Sequence, residues 1–266
     1  MKHRCSLVPW ATLLLVCALL AGCTRDPSVL KRRHFDKGES YFKQGKYQEA
    51  LIEYASALQV DKEYADAHYG VARCYMKLGS YSAAYLELAR TIELAPKNLD
   101  AHVEAGILLL ASGNFDSAKK QAEFVLEENP DQVPAHVLLA NVRAALGEMD
   151  AAFKELNKAI AIDPNSSSSY LNLAILQGNA GQIAAAEDNF KKAMALDPKS
   201  IAPLMAMGEM YEQLRRGKEA EDLFRAANGI DPNDARPREA LVRVLLEQGK
   251  REEAEHVVQQ AAADRK

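Results

Sequence analysis

The chain has 266 residues, with 33 Lys and Arg against 37 Asp and Glu and a formal net charge of −4. That mild acidity argues against a nucleic-acid partner, which needs clustered Lys and Arg in excess. Four cysteines in this length argue against a disulfide scaffold.

In chain order, the first element is an apolar run behind a basic start. Lys2 and Arg4 precede Ser6 to Gly22, a stretch of 17 residues without a charge. Basic start, apolar core and small-residue exit make residues 1–22 a secretory signal. A retained transmembrane helix is the alternative, although 17 residues lies at the low edge for spanning a bilayer and Pro9 and Trp10 shorten the clean part. The run ends in Leu20-Ala21-Gly22-Cys23. This resembles the bacterial lipobox, in which small residues precede an invariant cysteine. The resemblance implies that the Cys23 thiol carries a diacylglycerol, that the chain is cut before Cys23, and that the new amine is acylated too. One acyl chain binds reversibly at about 0.8 kcal/mol per buried methylene, whereas two or three make a durable anchor. An ordinary signal with a coincidental cysteine is the other reading. By the sorting rule of enterobacterial lipoproteins, Thr24 instead of Asp points to the outer membrane, facing the periplasm.

Loss of residues 1–22 removes Lys2, Arg4, Cys5 and Cys17, leaving a net charge of −6. Cys74 is then the only cysteine besides Cys23, and its apolar neighbours predict a small buried hydrophobe. Residues 23–30 form a short tether, with Asp26 read as a helix cap and Pro27 in the first turn. Eight extended residues span less than about 30 Å, which would hold the remainder close to the membrane.

From residue 31 to residue 266 the chain repeats itself. Prolines stand at 96, 130, 164, 198 and 232, each 34 residues after the last. Glycines at 45, 79, 113, 147 and 181 keep the same step; Arg215 breaks it and Gly249 restores it. Alanine at 50, 84, 118, 152, 186, 220 and 254 keeps it throughout. Apolar residues spaced by three and four, as in 184–196, predict helices, and no alternating pattern predicts strands. Each unit reads as two helices. Glycine at position 15, counting from Lys31, ends the first in a left-handed turn, and the Asp-Pro pair stops the second.

The period, the small residues at positions 8 and 20 and the proline at 32 resemble the tetratricopeptide repeat. The resemblance implies an all-α, right-handed solenoid of about seven helix–turn–helix repeats, starting near 31, 65, 99, 133, 167, 201 and 235. One such pair cannot bury its own apolar face, and stacking supplies the core. The last helix, 251–266, has one narrow apolar face (Ala254, Val257, Val258, Ala261 and Ala262) and reads as a solvating cap.

His34, His68, His102 and His136 all occupy position 4. A metal ladder is one reading, but equivalent side chains in stacked units run parallel about 8–10 Å apart, whereas metal ligands converge at about 2.0–2.1 Å. A packing role is expected. Phosphate-loop, dinucleotide, nucleophile-elbow and zinc-protease motifs are absent from the sequence. No enzyme, cofactor, metal or small-molecule substrate is therefore expected.

The family binds proteins in a groove lined by the first helices. The resemblance places Tyr69, Arg73, Met76, Val103, Ile107, Leu110, Asn141, Asn172, Ile175 and Asn179 on that surface, an apolar set with interspersed amides. The family's clamp for acidic chain ends is mostly missing. Asn141 and Asn172 match two of its places, but Val137, Ala202 and Ala206 stand where its basic residues would be. The whole is similar to tetratricopeptide lipoproteins of type IV pilus biogenesis and of exopolysaccharide or protein export. That similarity implies a lipid-anchored scaffold or assembly factor for envelope proteins. An adaptor that organises cell-wall or polysaccharide-synthesis enzymes is the alternative.

Overall fold

The computed structural model describes residues 26–263, so the signal, Cys23 and the first part of the tether lie outside the described residues. Fourteen helices are described, in seven pairs: α1 (Pro27–Lys43) with α2 (Tyr47–Val60), α3 (Ala65–Lys77) with α4 (Tyr81–Leu94), α5 (Leu99–Ala111) with α6 (Phe115–Glu128), α7 (Val133–Ala145) with α8 (Met149–Ile162), α9 (Ser167–Asn179) with α10 (Ile183–Leu196), α11 (Ala202–Gln213) with α12 (Gly217–Ile230), and α13 (Ala235–Glu247) with α14 (Arg251–Ala263). The described residues contain no strand, and none of their helices is long and apolar enough to cross a membrane.

The helix ends follow from local chemistry. The Asp26 carboxylate caps α1 by accepting from the Ser28 N–H at 2.9 Å, with Pro27 opening the helix. Between pairs, the side chain at position 31 reaches over the proline to the amide two residues on: Asp163 to Asn165 at 2.9 Å, Asp231 to Asn233 at 3.1 Å and Asn129 to Asp131 at 3.2 Å. Within pairs, the position-15 glycines sit at φ between +74° and +81°, where a side chain is disfavoured. Arg215 takes the same turn at φ +60°. Arg215→Gly is expected to raise the unfolding free energy by about 0.5–1 kcal/mol, read as a higher denaturant midpoint; an unchanged or lowered midpoint contradicts the strain.

The chain divides into two compact units within α6, one ending at Gln121 and the other starting at Ala122. In the first, Ala50, Tyr54, Val71 and Cys74 are buried together, and Ala72, Leu88, Ala101 and Ala105 form a second cluster. Cys74 is fully buried and burial pushes its thiol up to about 11. Tyr54 lies against bare backbone: a Cβ on Gly38 or Gly70 would stand 2.6 Å from its ring. In the second unit Ala140, Ala152, Leu156, Leu173 and Leu176 form one cluster, and a larger one runs from Ala174 to Val257 around Phe190, Met207, Phe224 and Leu245. The position-20 alanines from Ala50 to Ala220 are completely buried, and Ala254 nearly so. The last helix departs from expectation at Val258, which is 54% exposed while Val257 is buried; no further pair covers Val258 among the described residues.

The position-4 histidines do more than fill space. Nδ1 of His34, His68 and His136 lies 2.7, 2.6 and 2.7 Å from Oε2 of Glu53, Glu87 and Glu155, the residue at position 23 of the same pair. His102 meets Gln121 in the same way at 2.6 Å. Nε2 of His68, His102 and His136 points at the main-chain oxygen of Lys62, Pro96 and Pro130, at position 32 of the preceding pair. Each of these three rings therefore ties its own pair together and pins the turn before it. A carbonyl only accepts, so Nε2 donates. The carboxylates of Glu87 and Glu155 meet the other ring nitrogen, Nδ1, of His68 and His136. At Gln121 the atom that meets Nδ1 is the amide oxygen Oε1, which likewise accepts.

Candidate functional site: the first-helix faces

Each unit carries its own part of the expected surface. In the first unit α3 supplies Tyr69, Arg73 and Met76, and α5 supplies Val103, Ile107 and Leu110. Ile107 is 50% exposed, and Met76 and Leu110 are half-buried. Val103 is 5% exposed and offers no contact area; its place on the surface set is corrected, because its side of α5 faces the packing.

Tyr69 and Arg73 are half-buried and already engaged within the fold. The Tyr69 hydroxyl donates to Glu104 Oε1 at 3.1 Å. The Arg73 guanidinium lies 4.3 Å from the Phe42 ring centre and 5.4 Å from that of Tyr69, and it donates to Glu39 Oε1 at 2.8 Å. Glu39 Oε1 also accepts from the Tyr54 hydroxyl at 2.5 Å. A continuous polar strip thus joins α1, α3 and α5, and both residues first serve to hold neighbouring pairs together. Two atoms of this strip, Arg73 Nε and Glu104 Oε2, are buried without a hydrogen-bond partner. Burial, more than any neighbouring charge, raises the Glu104 carboxyl above its usual range. Glu39 and Glu104 were not anticipated; the readable signal was an acid inside the otherwise apolar run Ala101-His102-Val103-Glu104-Ala105.

In the second unit Asn141 on α7 donates from Nδ2 to Asn172 Oδ1 on α9 at 2.8 Å, and Asn172 donates onward to the Ser168 carbonyl at 2.8 Å. The two amides are brought together, with one amide hydrogen-bonded to the other. Ile175 and Asn179 line a cleft of about 110 Å³ with Gly178, Glu209, Met210 and Gln213. Ile175 is 39% exposed, and Asn179 is exposed as well.

Two features of the second helices had no counterpart in the sequence reading. In the first unit α4 presents Tyr81 at 60% and Leu86 at 68% exposure, with Tyr85 beside them on a cleft of about 480 Å³. In the second unit a cavity of about 680 Å³ is bordered by Leu126, Pro130, His136, Arg143, Glu155 and Lys158, among others. Glu155 is buried there, with Arg143 and Lys158 each at 3.1 Å from Oε1. Burial works to raise its carboxyl. Hydrogen bonds from His136 and Lys158 and the charges of Lys158 and Arg143 outweigh it, so that it titrates below the usual range. No group of three or more His, Cys, Asp or Glu side chains is placed to hold a metal among the described residues.

The tetratricopeptide repeat profile matches residues 41–107, 109–174, 179–240 and 215–266. Among solved structures, a tetratricopeptide repeat protein from Parabacteroides merdae is 23% identical, with 81% of this chain and 84% of that one covered and a TM-score of 0.72. PilF from Pseudomonas aeruginosa is 15% identical over 80% of this chain and 97% of its own, with a TM-score of 0.58. MamA from Desulfovibrio magneticus RS-1 is 19% identical over 64% and 97%, with a TM-score of 0.54. At such identities these structures show the fold alone. No curated protein sequence matches. With the profile covering almost everything beyond residue 40 and seven helix pairs at its period, the chain belongs to the tetratricopeptide repeat family.

Proposed function

We propose that the protein is a non-catalytic scaffold, anchored by acyl chains on Cys23 to the periplasmic side of a bacterial envelope, that binds another envelope protein on its first-helix faces. The observation that carries the binding face is the exposure of Ile107 and Ile175 on α5 and α9, where buried neighbours give a rigid backing. Isolated apolar side chains are ordinary; exposed ones beside amides and a cleft fit a partner's apolar side chain with its backbone hydrogen-bonded alongside. In the second unit Asn141 and Asn172 provide that hydrogen bonding and Asn179 borders the cleft; in the first unit Met76 and Leu110 add to the apolar area of Ile107. Tyr69 and Arg73 shape the wall more than they touch the partner.

Support for the anchor is the sequence at residues 18–24. Assembly of a pilus or export apparatus is the process that best suits a membrane-held binder of this family, and PilF is among the proteins that share its fold. Purification from native envelopes tests the reading. Ile107→Glu with Ile175→Glu is expected to leave helicity unchanged and to weaken the partner complex at least about tenfold, or about 1.4 kcal/mol. Equal recovery of the same partner by parent and variant contradicts it. A second reading rests on Tyr81 and Leu86 of α4, whose greater exposure suits docking of a cell-wall or polysaccharide enzyme on the second-helix face; Leu86→Glu would then be the variant that loses the partner.

A further inference from the structure

Charge is unevenly spread along the chain. Residues 26–46 hold six Lys or Arg against three Asp or Glu, whereas residues 47–266 hold 24 against 34. Four of these six cations also share one side of a helix. Val29, Arg32, Arg33, Asp36, Lys37 and Lys43 recur at helical spacing on one arc of α1, and all six are exposed. Arg33 and Lys43 make no ion pair among the described residues. Arg32 meets Asp36 at 2.9 Å, in the open, and Lys37 reaches Glu53 only at 3.6 Å. The exposed Arg32–Asp36 pair is weak and screened, and Lys37 keeps its ammonium half open to solvent while Glu53 is the more buried partner. Val29, in the first turn, is 53% exposed. The face is four cations and an apolar residue against a single acid, on a chain that is otherwise acidic.

Its place in the chain says what covers it. Only three residues separate Cys23 from Pro27, where α1 begins, and four residue steps reach at most about 14 Å. With Cys23 acylated, the first turn of α1 cannot leave the neighbourhood of the headgroups. We propose that this face of α1 lies on the bilayer, Arg32, Arg33, Lys37 and Lys43 against anionic headgroups and Val29 at the interface. The lipid chains hold the protein to the membrane, and the basic face sets how the helix lies on it. Each basic residue near an anionic surface contributes about 1 kcal/mol, within a Debye length of the surface. The repulsion of the acidic remainder acts in the same direction, turning the other helices of the first unit away from the lipid. The inference rests on acylation of Cys23, which the same experiment tests separately.

The full chain, matured in its own cells and purified from membranes, is weighed first and then reconstituted. Ser40 lies on the same exposed arc, and Ser40→Cys accepts a donor dye while buried Cys74 stays unlabelled. Energy transfer to an acceptor lipid is compared in phosphatidylcholine vesicles with and without phosphatidylglycerol at about three-tenths of the lipid. The expected result is transfer roughly twofold higher with the anionic lipid. The difference should vanish in about 0.5 M NaCl, where the Debye length is about 4 Å, and in Arg33→Glu with Lys37→Glu and Lys43→Glu at unchanged helicity. Should that variant misfold, the lipid and salt comparisons on the parent still decide. An acylated mass with equal transfer in both vesicles overturns this inference alone, whether the face is then bare or taken by an acidic protein. A mass without acyl groups overturns the anchor and, with it, this placement of α1.

Discussion

Phe224→Ala is expected to lower the unfolding free energy by about 3–5 kcal/mol, the cost of a cavity where a fully buried aromatic ring stood. The ring is completely buried between its own pair and the next, in the cluster that includes Met207, Leu241 and Leu245. It fits only because position 8 of that pair is Gly208: a Cβ there would stand 2.5 Å from Phe224 Cε1. Gly208→Ala therefore forces the ring to move and is expected to cost about 1–3 kcal/mol by overpacking, on top of nothing gained at the surface. Because both changes act through one contact, they do not add. In Gly208→Ala with Phe224→Leu the smaller side chain gives the methyl room, and the double variant is expected to be more stable than the sum of the single losses predicts. Denaturant melts of the four proteins check this, and strict additivity would mean that the two positions do not share a contact. In a stacked repeat protein the loss is local first, so hydrogen exchange should rise in α11 to α14 before it rises elsewhere in that unit.

The second large effect is at His136. His136→Leu removes the Nδ1 contact to Glu155 and the Nε2 contact to Pro130 together, leaving a buried carboxylate with Arg143 and Lys158 only. Taking a hydrogen-bond partner from a buried acceptor costs about 1–3 kcal/mol, more where the acceptor is charged, and this carboxylate keeps Arg143 and Lys158. The pH dependence has a definite sign. The folded-state carboxyl of Glu155 titrates lower than in the unfolded chain, so its contribution is fully present above about pH 4.3 and is lost as pH falls through the folded value. Glu53 and Glu221 are lowered as well: Glu53 chiefly by its hydrogen bond with His34, and Glu221, against its burial, by Lys250 and Arg225. Their contributions disappear in the same direction. The parent should lose stability steeply in acid, and Glu155→Gln should flatten that slope while being less stable at neutral pH. An identical slope in parent and variant would contradict the lowered carboxyl.

Much of this architecture is written locally. Alanine at position 20, glycine at 15 and Asp-Pro at 31 and 32 each act within a few residues of themselves, so a 34-residue step in the sequence translates directly into seven helix pairs. The side-chain partnerships are harder to read because they join residues 19 to 35 apart. His136 and Glu155 are such a pair, as are Arg73 with Glu39 and Tyr69 with Glu104. One signal was available. Position 23 is Glu53, Glu87, Gln121 and Glu155 in the same four repeats that carry histidine at position 4, and where position 4 becomes Leu204, position 23 becomes Leu223. That matching within a single chain points to contact without any relative to compare. The surface set was less legible. Position in the repeat puts Val103 and Ile107 on the same helix but does not say which of them the neighbouring pair covers, and one is buried while the other is half open. Likewise Tyr69 and Arg73 stand where a partner would be expected, and the strip through Glu39 and Glu104 engages them first.

Binding on the first-helix faces is the central claim, and site-specific photocrosslinking in the native cells tests it most directly. A photoreactive residue is placed at Ile107, at Ile175 or at Leu86, the first two on α5 and α9 and the third on the opposing candidate surface of α4. A crosslink to an envelope protein is expected from Ile107 and Ile175 and none from Leu86. A crosslink from Leu86 with silence at Ile107 and Ile175 would contradict it and move the binding site to the second helices.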